Sequence, residues 1–230
     1  MPPCPASTAG FRIKHRRGRA LVITAEPFLL HALVPEAIEE LNRSRGLKFA
    51  VDICMRGLGL WMSQSTADLG VVALPFAQSD MERVVFAEAE LVAVLPPGHP
   101  LAQQERIQFA DLSGERFIAL RPSTLLRAQI DIAAAGAGVS LDPAIETTSG
   151  VTACEFVARG LGITIADPIV ATSFRPAGVE VRRLGLVLHL TYGCLLPKDA
   201  IGSPLLTPVV EALTRAALRL GTGFVTLAGG

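Results

Sequence analysis

Five short stretches carry residue types that can hold a small charged molecule: Thr24-Ala25-Glu26, Met55-Arg56-Gly57, Arg121-Pro122-Ser123-Thr124, Thr147-Thr148-Ser149-Gly150 and Asp167-Pro168. Hydroxyls and free backbone N–H groups at a helix start suit a carboxylate, because the helix dipole favours negative charge there. Arg56 and Arg121 can grip a carboxylate through two parallel bonds, while Glu26 and Asp167 can accept from an ammonium group. An amino-acid-like zwitterion would satisfy both signs. The plainer role of Ser123, Thr124, Thr148, Ser149 and Asp167 is helix capping, and that of each arginine a solvated or inter-lobe ion pair.

Catalytic chemistry finds little material. No G-x-S-x-G elbow, H-E-x-x-H pair or G-x-x-x-x-G-K-[ST] loop occurs, and Gly57-Leu58-Gly59 and Gly160-Leu161-Gly162 are too short to cradle a phosphate. The carboxylates Asp52, Asp68 and Asp167 have ordinary structural roles available to them. Cys4, Cys54, Cys154 and Cys194 form no C-x-x-C pair and have no histidine at ligand spacing, so they are expected to be reduced thiols. We therefore expect no catalytic residue, no metal and no cofactor.

The five stretches matter only if the chain brings them together, and its periodicity says how. Ala20–Thr24 is a buried strand, followed by a helix to about Asn42 that Pro35 kinks or delays. Lys48–Cys54 and Asp68–Leu74 are further strands around a short helix at Gly57–Gln64, completing a βαβαβ unit. Val84–Ala87 and Glu90–Leu95 add two strands before Pro96-Pro97-Gly98-His99-Pro100, the expected crossing between two lobes. A second series follows: strand Arg116–Leu120, helix Thr124–Gly136, strand Ala144–Thr147, helix Gly150–Arg159 and strand Gly162–Ala166. Val179–Leu184 and Val187–Leu195 carry the chain back, and Pro204–Leu220 closes it with an amphipathic helix. This is an α/β chain with largely parallel sheet in two lobes, 18–95 plus 197–221 and 96–196. Residues 1–17 are a flexible or non-native N-terminal segment, and 222–230 look frayed.

Composition agrees with that picture. Half of the 230 residues are hydrophobic and 18% are charged, enough apolar side chain to build a core of this size. No apolar run reaches the ~18 residues of a membrane span, and the first 20 residues lack a secretory apolar core, so the cytoplasm is the expected compartment. The 21 Lys+Arg and 21 Asp+Glu balance, but residues 1–20 hold five of the bases and no acid, leaving 21–230 at a net of −5. A mildly acidic body does not hold DNA by counterion release.

Read together, five segments resemble the effector-binding domain of LysR-type transcriptional regulators: GRALVITAEPFLLHALVPEAIEEL, STADLGVVALP, ELVAVLPPGHPLA, FADLSGERFIAL and ETTSGVTACEFVARGLGITIADPIVA, in that order. The resemblance runs from about Gly18 to Leu220. It implies a two-lobed, type 2 periplasmic-binding-protein-like fold with a small inducer in the inter-lobe cleft, held by Thr24, Glu26, Arg56, Gly57, Ser123, Thr124, Thr148, Ser149 and Asp167. It also implies a homodimer or higher oligomer, and DNA contact only through a winged helix-turn-helix that the preceding 17 residues cannot supply. Thr24-Ala25-Glu26 departs from the Ser-Pro-like pattern frequent in the family. ETTSGVTAC is most similar to members answering to amino acids or opines. A transport receptor of the same fold, or a dehydratase-like bilobal enzyme, is the alternative reading.

Overall fold

The computed structural model describes residues 20–53, 67–75, 81–220 and 223–227. The chain starts with strand β1 (Leu21–Ala25), whose Leu21, Ile23 and Ala25 are buried in the main core. Pro27 opens helix α1 (Pro27–Ala32), and the chain breaks at Leu33 before α2 (Val34–Arg45). The break is the physical outcome of Pro35, which has no N–H to continue a helix but fits the first turn of a new one. Gly46, in the left-handed region at φ 61°, ends α2 and returns its N–H to the Asn42 carbonyl. Strands β2 (Phe49–Ile53) and β3 (Leu69–Leu74) lie parallel to β1 on either side of it. The helix expected at 57–64 falls outside the described residues.

The next strand differs from expectation. A single ten-residue strand, β4 (Met81–Glu90), runs where 84–87 was expected, and one residue, Leu91, separates it from β5 (Val92–Leu95). β4 belongs to the first sheet, and β5 lies in the second. The chain thus changes sheets at Leu91, ahead of the Pro/Gly cluster. That cluster instead forms a turn: Gly98 takes φ 72°, and His99 Nδ1 accepts from the Leu101 N–H to cap a 3-10 turn at Pro100–Gln103.

The second sheet then grows from β6 (Arg106–Ile107), β7 (Phe117–Leu120), helix α3 (Leu125–Gly136), β8 (Pro143–Thr147), helix α4 (Gly150–Ala158), β9 (Thr164–Ala166), helix α5 (Pro168–Ser173) and β10 (Glu180–Leu184). Four strands order as β6-β10-β5-β9, and the β7-β8 pair joins them through a parallel bridge from Phe117 to Ile163. Two bonds of 2.8 Å make the joint, Ile118 N–H to Ile163 O and Ile163 N–H to Arg116 O. Gly162 is obligatory there: at φ 152° a Cβ would sit 2.2 Å from the Arg116 carbonyl oxygen.

The return also comes earlier than expected, within 185–188, because β11 (His189–Pro197) already lies in the first sheet. Helix α6 (Thr207–Arg219) then packs on α2, with Arg215 and Arg219 meeting Glu40 and Arg219 meeting Glu36. A last strand, β12 (Val225–Leu227), pairs with β4, so this part of the chain end is not frayed. The first sheet orders as β12-β4-β11-β3-β1-β2, and β11, β4 and β12 all pair antiparallel. Both sheets are therefore mixed, each with one parallel three-strand unit, rather than largely parallel. One apolar cluster runs from Ile23 and Leu69 through Leu91 and Ala93 to Phe117 and Ile165, so the crossover strands sit inside the core that both lobes share.

Candidate functional site

The parallel units place β1 and β3 with β2 in one lobe, and β7 and β9 with β8 in the other. Polar residues follow the carboxyl ends of these strands, the place where open α/β sheets bind ligands. Glu26, after β1, is only 6% exposed. Pairing between β1 and β3 ends at Ala25 and Val71, and the Glu26 carboxylate continues it by accepting from the Ala73 N–H at 2.6 Å. Thr24 is buried and its Oγ1 has no partner among the described residues. It shares the face of Val22, opposite that of Ile23 and Ala25.

In the second lobe the hydroxyls cap helices. Thr124 Oγ1 accepts from the Arg127 N–H at 3.4 Å and donates to the Arg121 carbonyl at 2.9 Å. Ser149 Oγ accepts from the Thr152 N–H at 3.2 Å at the start of α4. A 2.9 Å bond from the Arg121 N–H to the Thr147 carbonyl ties the starts of the two loops together. Ser123, Arg121 and Thr148 are exposed. A Cβ on Gly150 would lie 3.4 Å from Val170, which sets this junction beside α5. The loops are braced by Arg127, bonded to Asp131, Glu146 and the Leu120 carbonyl.

Asp167, at the start of α5, makes a buried side-chain bond between the lobes. Its Oδ1 accepts from the Ile169 N–H and from the Tyr192 hydroxyl, both at 2.7 Å, and Tyr192 stands on β11 of the other sheet. Its Oδ2 is buried without a partner among the described residues. Burial pushes the carboxyl up from its ordinary 3.8 to about 6, against the Tyr192 hydroxyl and the Ile169 and Val170 N–H groups, with the Glu26 charge adding to the rise. Burial, then the charge of Asp167, lifts the Tyr192 phenol well above its usual range. Burial also takes the Cys154 thiol to about 12, so this cysteine is no nucleophile. Beside this junction the lobes touch again, where the His31 and Phe174 rings meet edge-on at 6.0 Å.

Of the nine residues expected at the site, Asp167 lies at the lobe junction, with the charge of Glu26 felt there. Thr124 and Ser149 are helix caps, Ser123 and Thr148 are exposed, and Thr24 turns to another face of its sheet. Arg56 and Gly57 lie outside the described residues. Tyr192 was not anticipated. Its signal was present: it is the chain's one tyrosine, it sits in an apolar strand, and a buried phenol needs a hydrogen-bond partner.

Residues 14–218 match the family described as the LysR substrate binding domain. The chain belongs to that family. The LysR-family assignment agrees with curated relatives such as the regulatory protein NocR of Agrobacterium tumefaciens, 33% identical over 133 residues, which are 58% of this chain and 44% of NocR. The transcriptional activator protein LysR of Escherichia coli is 30% identical over 137 residues, 60% of this chain and 44% of that protein. Each alignment thus spans under half of the curated relative. Among solved structures, the reduced OxyR regulatory domain of Pseudomonas aeruginosa superposes with a TM-score of 0.71 at 18% identity, covering 86% of this chain and 95% of that one. The effector binding domain of QuiR in complex with shikimate gives 0.68 at 18% identity, covering 89% and 98%. The LysR-family domain thus has the two-lobed, periplasmic-binding-protein-like fold expected. No helix among its described residues is long and apolar enough to cross a membrane.

Proposed function

We propose that this LysR-family domain senses a small carboxylate or amino-acid-like effector between its lobes and passes the event to transcription through the arrangement of subunits. The observation that carries the reading is the Tyr192–Asp167 bond across the lobes, with an unspent carboxylate oxygen beside it and polar strand ends on both sides. A ligand at that junction touches both lobes at once, so it has different contacts in their different relative placements, the condition for shifting a conformational equilibrium. Coupling of about 1–3 kcal/mol suffices for regulation. The named relatives, a regulatory protein and a transcriptional activator, support the same reading. In it the domain acts as a homodimer or higher oligomer in the cytoplasm, with operator contact made by a winged helix-turn-helix, and performs no catalysis.

The test is a thermal-shift screen of the purified chain against amino acids, carboxylic acids and aromatic acids, followed by calorimetry and a turnover assay. A ligand at about 100 times its dissociation constant should add about 2.7 kcal/mol of stability. Saturable binding without turnover is expected. Conversion of the bound compound to product would replace the sensor with the enzyme reading, and a strictly monomeric chain with bound ligand would favour a transport receptor.

A further inference from the structure

We propose that the Asp167 junction holds a positively charged nitrogen of the effector, an ammonium or guanidinium group. The inference rests on the sensor reading above and specifies its ligand class. Three observations carry it. First, Asp167 is 4% exposed, and the hydrogen bonds from Ile169 and Tyr192 both go to Oδ1, leaving Oδ2 buried without a hydrogen-bond partner among the described residues, with the Val170 N–H contributing only to the field at the carboxylate. Second, among the described residues, the groups that act on its charge add no positive one. Glu26 at the end of β1 is a second carboxylate, Tyr192 on β11 a neutral phenol, and Cys154 on α4 a neutral thiol. Third, two basic side chains on neighbouring described elements are committed elsewhere. Arg175, following α5, is bonded to the Val179 carbonyl, and His31 on α1 to the Pro27 carbonyl.

A capping aspartate needs one oxygen, so capping accounts for Oδ1 alone. A buried carboxylate with a free oxygen is costly unless a counter-charge arrives. An anionic ligand group would worsen the repulsion already set up by Glu26. A hydroxyl would satisfy the atom and leave the charge, whereas a cationic nitrogen meets both needs with a charge-assisted bond.

Binding of a cation competes with the proton on Asp167. With the carboxyl titrating at about 6 in the free chain, affinity should fall about tenfold between pH 7.5 and pH 5.

The test compares α-amino acids with their matching α-hydroxy acids, and 4-guanidinobutanoate with 4-ureidobutanoate, by thermal shift and calorimetry at both pH values. The first set exchanges ammonium for hydroxyl at constant shape, and the second exchanges guanidinium for a neutral isostere, so the two sets separate the two cations. The expected result is stabilisation by the cationic member of a pair, weakened about tenfold at pH 5 and at least tenfold in Asp167→Asn. The pH comparison uses the unaltered chain and so holds if that variant does not fold. Stabilisation by hydroxy or ureido acids equal to that by their cationic partners, or cation binding indifferent to pH and to Asp167→Asn, overturns this proposal and leaves the sensor standing. Silence from every compound here and in the wider acid screen overturns both.

Discussion

The two lobes are built on the same parallel unit and use its polar ends differently. In the first, β3-β1-β2 places the first strand of the unit in the middle; in the second, β9-β7-β8 does the same. The first lobe spends Glu26 on completing its own sheet, at the Ala73 N–H. The second spends Thr124, Ser149 and Asp167 on starting helices, and of these only Asp167 also reaches the other lobe. Equivalent positions in one topology thus divide into groups that hold a lobe together and one that also bonds across to its neighbour.

The comparison can be broken most severely at the glycines. Gly162→Ala forces a Cβ against the Arg116 carbonyl and unseats the β7–β9 joint, with an expected loss of more than about 3 kcal/mol by urea denaturation. Gly46→Ala in the first lobe meets nothing and pays only for its left-handed backbone, about 1 kcal/mol. Equal losses would mean that the second sheet does not depend on this close approach.

A smaller effect, of opposite sign, is expected at Asp167. Its carboxyl is raised in the folded chain, so between about pH 4 and pH 6 the folded state holds a proton that the unfolded chain has released. Stability from this group is therefore present at low pH and lost as pH rises through about 6. Asp167→Asn keeps the cap and the Tyr192 acceptor while removing the buried charge. It should abolish that slope and gain about 2 kcal/mol at pH 7, as chemical denaturation across pH reports. A variant less stable than the parent at pH 7 would show that the buried charge is already compensated.

The smallest effects sort the hydroxyls. Ser149→Ala removes a cap and should cost about 1 kcal/mol, whereas Thr148→Ala, exposed and without a capping bond, should stay within about 0.5 kcal/mol and act on ligand affinity alone. Thermal melts with and without ligand distinguish the two.

Much of this was legible from residue pattern. Strands such as Leu21–Ala25 and Phe117–Leu120 and helices such as Leu125–Gly136 lie within a residue or so of their expected places, because burial imposes periodicity on them. The lobe crossing was misplaced because Gly98 and Pro100 are a turn signal, and a turn within one lobe carries the same residues as a linker between two. The real crossing at Leu91 is a buried leucine between two apolar strands and leaves no punctuation. At the site, capping residues were identifiable by type. Direction was not: Thr24 differs from Ile23 only in which face of β1 it leaves, and the meeting of Asp167 with Tyr192, 25 residues later, depends on the return strand pairing in the first sheet.

The most direct measurement uses the fact that Tyr192 is the only tyrosine. A chain carrying 13C only at the tyrosine ζ carbon gives one ring resonance, reporting the inter-lobe bond to Asp167. Titration with any ligand that stabilises the chain should move that resonance saturably, with the dissociation constant found by calorimetry. Binding that leaves the Tyr192 resonance unmoved would contradict an effector site at the lobe junction.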